Sequence, residues 1–167
     1  RQELSIATRS VKWDELITFQ QESEKLLNAT LNSDCNAVSS QIEMIHNEFV
    51  PALQYNHENS LSGVIAIAYL SSMRYYFKPI REFPTGRGFA DFVYIPKPEY
   101  KDNYPAFVVE LKWNKSAETA ISQIKARRYP DSILNYTGNL LLVGINYSEM
   151  TKEHECLIEH YVKTDPI

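Results

Sequence analysis

The stretch TGRGFADFVYIPKPEYKDNYPAFVVELKW, Thr85 to Trp113, decides the fold of this chain. It ends in the apolar run Ala106 to Trp113, which reads as a strand. Residues two apart on a strand point to the same face. Val108, Glu110 and Lys112 therefore share one face, and Phe107, Val109, Leu111 and Trp113 share the other. Two charged side chains in so apolar a run are costly to bury without a use or a partner. A solvated Glu–Lys pair on an edge strand is the plain alternative, but this run is too apolar on both sides for a typical edge. Asp91 stands on a strand-like run of its own, Phe89 to Ile95. The glycines Gly86 and Gly88 mark a turn before it, and Pro96, Pro98, Asp102 and Asn103 mark a loop after it.

Outward from this stretch, the period of the apolar residues changes. Tyr76 to Phe83 reads as a first strand. On the far side, Ser116 caps a helix that lasts to Tyr129-Pro130 and turns Ala117, Ala120, Ile121 and Ile124 toward the sheet. Leu140 to Ile145 has the near-continuous apolarity of a buried central strand, and Cys156 to Val162 forms a last edge strand. The first part of the chain has helical spacing instead. Trp13, Leu16, Ile17 and Leu27 suggest an amphipathic helix over residues 12–28, after a linker at 1–11. Val38, Ile42, Ile45 and Phe49 define a second helix, limited by Pro51. A third runs from Glu58 to about Tyr76, with Leu61, Val64, Ile65 and Ala68 on one face. This order implies an α/β fold: a mixed β-sheet flanked by helices, with an N-terminal helical segment. Residues 1–55 are read as a linker and helices packing on the core, and 56–167 as the core of one globular domain.

Composition sets the outer limits. The chain has 167 residues, enough for one domain with a real core. Hydrophobic content of 44% and charged content of 23% are ordinary for a globular domain. The net charge of -4 gives no global basic field, so any nucleic-acid contact must come from a local patch. The longest candidate span, Gly63 to Leu70, is too short to cross a membrane. Cys35 and Cys156 stand far apart without metal or redox spacing, and a reduced cytoplasmic setting follows as the expectation. The chain begins with Arg1, and part of a longer protein is expected.

Several of these stretches together resemble the PD-(D/E)XK nuclease superfamily, the restriction-endonuclease-like fold. They are NHENSLSGVIAIAYL, GRGFAD, FVVELKW, AETAISQIKARRYPD and NLLLVGINY. More narrowly, the chain resembles the nuclease-like C-terminal domain fused behind AAA-type ATPases in bacterial proteins. The resemblance implies Asp91 and Glu110 as metal-binding acids and Lys112 as the catalytic lysine. It matches Glu58 to the acid on the preceding helix, and Gln123 to the glutamine on the helix after the third strand. Relatives often carry an arginine close to the aspartate. Here Phe89 and Ala90 stand between the turn and Asp91, and Arg87 is the nearest arginine.

The residue types suit that chemistry by themselves. Cleaving a phosphodiester needs charge neutralised on the phosphate and a nucleophilic water at neutral pH. Hard carboxylates holding Mg²⁺, with Mn²⁺ as a substitute, serve both needs. Asp91 and Glu110 on adjacent strands can share one ion, with the Leu111 carbonyl as a further ligand. Lys112 then orients the water or stabilises developing charge. Glu58 has two readings: an acid favoured in a first helical turn, or a further ligand pointing across the sheet. Gln123 is a solvated helix flank, or it contacts the water or a backbone phosphate. Lys115, Lys125, Arg127 and Arg128 form the only local basic cluster and follow Glu-x-Lys closely. They lie where a phosphate backbone, DNA by preference, would run. A catalytically inactive docking or regulatory module of an ATPase protein is the alternative from another class.

Overall fold

A computed structural model of the chain describes residues 2–49, 58–81, 92–126 and 130–162. Helix α1 covers Gln2–Leu31, α2 Cys35–Phe49 and α3 Glu58–Ala68, and a short 3-10 helix follows at Leu70–Arg74. The strands are β1 (Ile80–Arg81), β2 (Phe92–Tyr94), β3 (Ala106–Trp113), β4 (Leu140–Ser148) and β5 (Glu153–His160). Between β3 and β4 lie α4 (Ala117–Lys125) and α5 (Pro130–Thr137).

The sheet is mixed, in the order β1-β2-β3-β4-β5. β1, β2 and β3 pair antiparallel, β3 and β4 pair parallel, and β5 returns antiparallel on β4. Parallel neighbours need a long crossover, and here α4 and α5 supply it. β3 and β4 are buried on both faces, which is why both read as unbroken apolar runs.

Side-chain alternation divides the core into two layers. Phe107, Val109 and Leu111 join Phe92, Tyr94, Leu61, Ile65, Ile42 and Leu26 on the face covered by α1, α2 and α3. Val108 joins Val93, Ile121, Ile124 and Leu142 on the face covered by α4. Aromatic rings fill the first layer: Tyr94 and Phe107 stack at 4.4 Å, with Tyr69 and Tyr76 packed beside them. Phe77, in the same sequence run as these tyrosines, is half exposed instead.

The N-terminal helix departs from its apolar pattern. It begins at Gln2, where a linker was expected over 1–11. Trp13, Leu16 and Ile17 are exposed, and the buried face is Ser23, Leu26, Leu27 and Thr30. The two hydroxyls explain the shift. Ser23 donates to the Ala68 carbonyl at 2.6 Å, and Thr30 shares a 2.7 Å hydrogen bond with the Tyr69 hydroxyl. Small polar residues thus seat α1 on the end of α3 beside the buried Leu26 and Leu27, because their buried groups are satisfied.

Candidate active site

β3 builds the site by carrying Glu110 and Lys112 on the face that α4 covers. Both are buried: Glu110 is 0% exposed and Lys112 is 3% exposed. The Lys112 Nζ stands 3.8 Å from Glu110 Oε1 and donates to the Gln123 side-chain oxygen on α4. Desolvating two charges inside a sheet costs several kcal/mol per ion, which the mutual attraction only partly repays. The charge pair is therefore a poor device for stability.

Two features bring α4 down onto this pair. Ser116 accepts from the Thr119 amide at 3.0 Å and starts the helix, as its sequence position implies. Gly144, opposite Glu110 in the β3–β4 register, leaves room for the helix. A Cβ there would collide with the Ala117 carbonyl oxygen and crowd Ala120 and Ile121 at 3.1 Å.

The structure adds two residues that the sequence reading passed over. Asn146 lies opposite Lys112, is 3% exposed, and accepts from the Lys115 amide at 2.9 Å. It fixes the turn between β3 and α4. Glu155 accepts from the Ala117 amide at 3.3 Å, placing a carboxylate at the α4 N-terminus where the helix dipole favours it. The signal for Asn146 was present: like Glu110, it is a polar residue inside an apolar strand. Glu155 carried none, since alternate residues of an edge strand are commonly acidic.

The remaining candidates fall into four groups. Glu58 is the first residue of α3. Lys115 is exposed beside the site, while Lys125 is held by Glu159 at 2.6 Å, an ion pair that occupies part of its charge. Asp91, Arg87, Arg127 and Arg128 lie outside the described residues. Asp91 nevertheless directly precedes Phe92, and Phe92 pairs with Val109, the neighbour of Glu110. Leu111 sits between the two charged residues with its side chain in the opposite layer.

Glu110 offers a hard oxygen donor beside a cation, the kind of ligand Mg²⁺ prefers. Among the described residues no group of three or more His, Cys, Asp and Glu could hold an ion. Asp91, which the resemblance implies as the second metal-binding acid, lies outside them. Among the described residues, too, no helix is long and apolar enough to cross a membrane.

A family model of the PD-(D/E)XK nuclease superfamily matches residues 56–156. The match spans α3, β1 to β4, α4 and the site and ends within β5, and the chain belongs to the PD-(D/E)XK nuclease superfamily. No curated protein and no solved structure matches the chain. Nucleases of this superfamily generally use divalent metal ions, and a nuclease-like domain acts on nucleic acid.

Proposed function

We propose that this domain cleaves phosphodiester bonds of DNA with Mg²⁺, and with Mn²⁺ as a substitute. The observation that carries the reading is the contact of Lys112 with both Glu110 and Gln123 inside the apolar sheet. Three residues that match the family's motif meet there, at a place where charge is costly.

In this reading Glu110 and Asp91 hold the ion, with the Leu111 carbonyl and Glu58 as further ligands. The ion, when bound, would neutralise the phosphate and favour a nucleophilic water. Lys112 holds a positive charge beside the scissile phosphate, where charge develops in the transition state. Gln123 orients the Lys112 ammonium by accepting one of its hydrogens. Asn146 and Glu155 act at one remove: they fix the β3–α4 turn and the start of α4, and so the position of Gln123. Lys115 receives the phosphate backbone, together with Lys125, Arg127, Arg128 and Arg87. An ATPase domain ahead of α1 belongs to the same reading, and the exposed Trp13, Leu16 and Ile17 offer it an apolar surface to rest on.

One observation favours the rival, a catalytically silent docking module. Glu110 and Lys112 are closed to solvent, so a phosphodiester reaches them only after the covering segments move.

The deciding experiment assays the domain on single-stranded DNA, duplex DNA and RNA, with Mg²⁺ and with Mn²⁺, against Lys112→Ala. Removing a preorganised charge from such a site lowers turnover by about a hundredfold or more. Loss of activity in Lys112→Ala, with circular dichroism unchanged, supports the nuclease. Equal traces in both proteins mean a contaminant. Inactivity of the wild type, both alone and within its full-length parent, makes the docking module the better account.

A further inference from the structure

The tyrosine-rich run after α3 does not all enter the core. Tyr69 and Tyr76 are buried, but Phe77 is 50% exposed. Between Glu58 and Glu82 the sequence carries Arg74, Lys78 and Arg81 and no acid, in a chain of net charge -4. The loop after β2 joins this run. The Phe77 amide donates to the Ile95 carbonyl and the Lys97 amide to the Tyr75 carbonyl, both at 2.9 Å. Tyr75 stacks on Tyr104 at 4.3 Å and meets Tyr100 edge-on at 5.2 Å, so packed rings brace the loop. From α5, the half-exposed Tyr136 brings its hydroxyl to the Pro96 carbonyl at 3.5 Å. Two cations lie over rings here: Arg74 over Tyr75 at 5.4 Å, and Lys101 over Tyr136 at 5.7 Å. Arg74, Lys78 and Lys101 are exposed and Lys97 partly so, while the loop's own acids are Glu99 and Asp102. Tyr94 pairs with Phe107, so Pro96 and Lys97 lie past the start of β3. Lys112 is at the other end of that strand, about 20 Å along it.

We propose that this surface binds a single strand of nucleic acid, with bases stacked on Phe77 and Tyr136 and phosphates on Arg74, Lys78, Lys97 and Lys101. The proposal rests on the reading of the domain as one that acts on nucleic acid. It adds a second contact, at the end of the sheet away from Lys115. Aromatic faces interleaved with cations suit a single strand, whose bases are free to stack. A duplex hides those base faces. A protein-binding patch is depleted of lysine, whereas Lys97 and Lys101 stand among the rings.

The test measures binding of the whole chain to labelled oligothymidine, oligouridine and a DNA duplex by fluorescence anisotropy, in EDTA so that no turnover intervenes. A base stacked on a ring contributes about tenfold or more in affinity. Phe77→Ala and Tyr136→Ala should each weaken single-strand binding by about that factor and leave duplex binding unchanged. Both rings are half exposed, so the urea midpoint should stay in place. Lys97→Ala with Lys101→Ala should lower the dependence of log affinity on log salt by roughly 0.7 per lysine. These losses on either single strand support the proposal, and the tighter of the two identifies DNA or RNA as the strand held. Ring-dependent binding by a domain that cleaves nothing would support the surface and count against the nuclease reading alone. Variants that bind both single strands like the wild type would overturn the proposal, even in a domain that cleaves DNA. So would a wild type that ignores single strands but self-associates and becomes monomeric in Phe77→Ala, since the surface would then join two copies.

Discussion

The Lys112 ammonium donates to the Gln123 side chain while standing 3.8 Å from Glu110, so strand β3 and helix α4 meet at a charge closed to solvent. The relationship makes function and stability pull on the same three residues. Breaking a buried ion pair by removing one partner leaves the other charge uncompensated, which costs about 3–5 kcal/mol. Lys112→Met should therefore lower unfolding stability by roughly that amount in urea. The double change Lys112→Met with Glu110→Leu should recover most of the loss, because it removes both charges and keeps apolar bulk. A double variant as unstable as the single one would mean that Glu110 and Lys112 are not energetically coupled.

Gly144 gives a second, independent handle on the same interface. A methyl group there has to displace the Ala117 carbonyl or shift α4 away from β4. Overpacking of this kind costs about 1–3 kcal/mol. Gly144→Ala should thus reduce the urea midpoint and, under the nuclease reading, lower turnover more than affinity, because Gln123 moves with α4. Comparing midpoints and single-turnover rates for the wild type and Gly144→Ala checks both. A fully stable, fully active variant would show that α4 tolerates the shift.

Lys115 and Lys125 should differ as phosphate ligands. Lys115 is exposed next to the site, whereas Lys125 is paired with Glu159 at 2.6 Å. Losing one phosphate contact reduces the dependence of log affinity on log salt by about one unit of slope. Lys115→Ala should produce that change in fluorescence-anisotropy titrations on duplex DNA. Lys125→Ala should produce less of it, and Glu159→Gln should raise affinity by freeing the lysine. Identical slopes for all four proteins would move the nucleic-acid path away from the start of α4.

How much of this was legible in the sequence depended on how local the signal was. β3 has the boundaries that its apolar run implied, Ala106 to Trp113, and α4 starts on the Ser116 cap. Both signals lie within a few residues. Alternation alone placed Glu110 and Lys112 on one face, and the two core layers follow it. Helix α5 was missed because Pro130 was read as a stop. A proline at the first helical position costs no hydrogen bond, and here it starts the next helix. The first strand, expected over Tyr76 to Phe83, is described only at Ile80–Arg81, with Tyr76 bridging to Pro96. Part of the expected run lies outside the described residues, as does most of the segment before Phe92, including Asp91. β5 begins at Glu153 rather than Cys156, since its register is set by β4 and not by its own weak alternation.

The last prediction concerns acid. His154, on β5, is buried against α2, and burial, reinforced by the neighbouring His46, pushes its pKa down to about 4. Burial also lowers His46, partly offset by Glu43. The groups facing His154 are Glu43 and His46 from α2 and Tyr147 from β4, with Glu153 and Glu155 beside it on its own strand. Glu43 lies 3.6 Å from Nδ1, yet the ring is neutral at pH 7, so this contact is no ion pair there. The sign follows from proton counting. Between about pH 6.5 and pH 4 the unfolded chain binds a proton at His154 that the folded chain does not, so stability falls as pH falls through that window. The shift corresponds to roughly 3 kcal/mol, lost progressively and complete below about pH 4. Urea unfolding from pH 7.5 down to pH 4 should show the decline, at about the same steepness in low and moderate salt because the cause is burial. His154→Gln should start from a less favourable value, having lost ring packing against Tyr147, but should flatten the curve over the same window. A wild-type profile that is flat between pH 7 and pH 4.5, or a His154→Gln profile as steep as the wild type, would place the titrating group elsewhere.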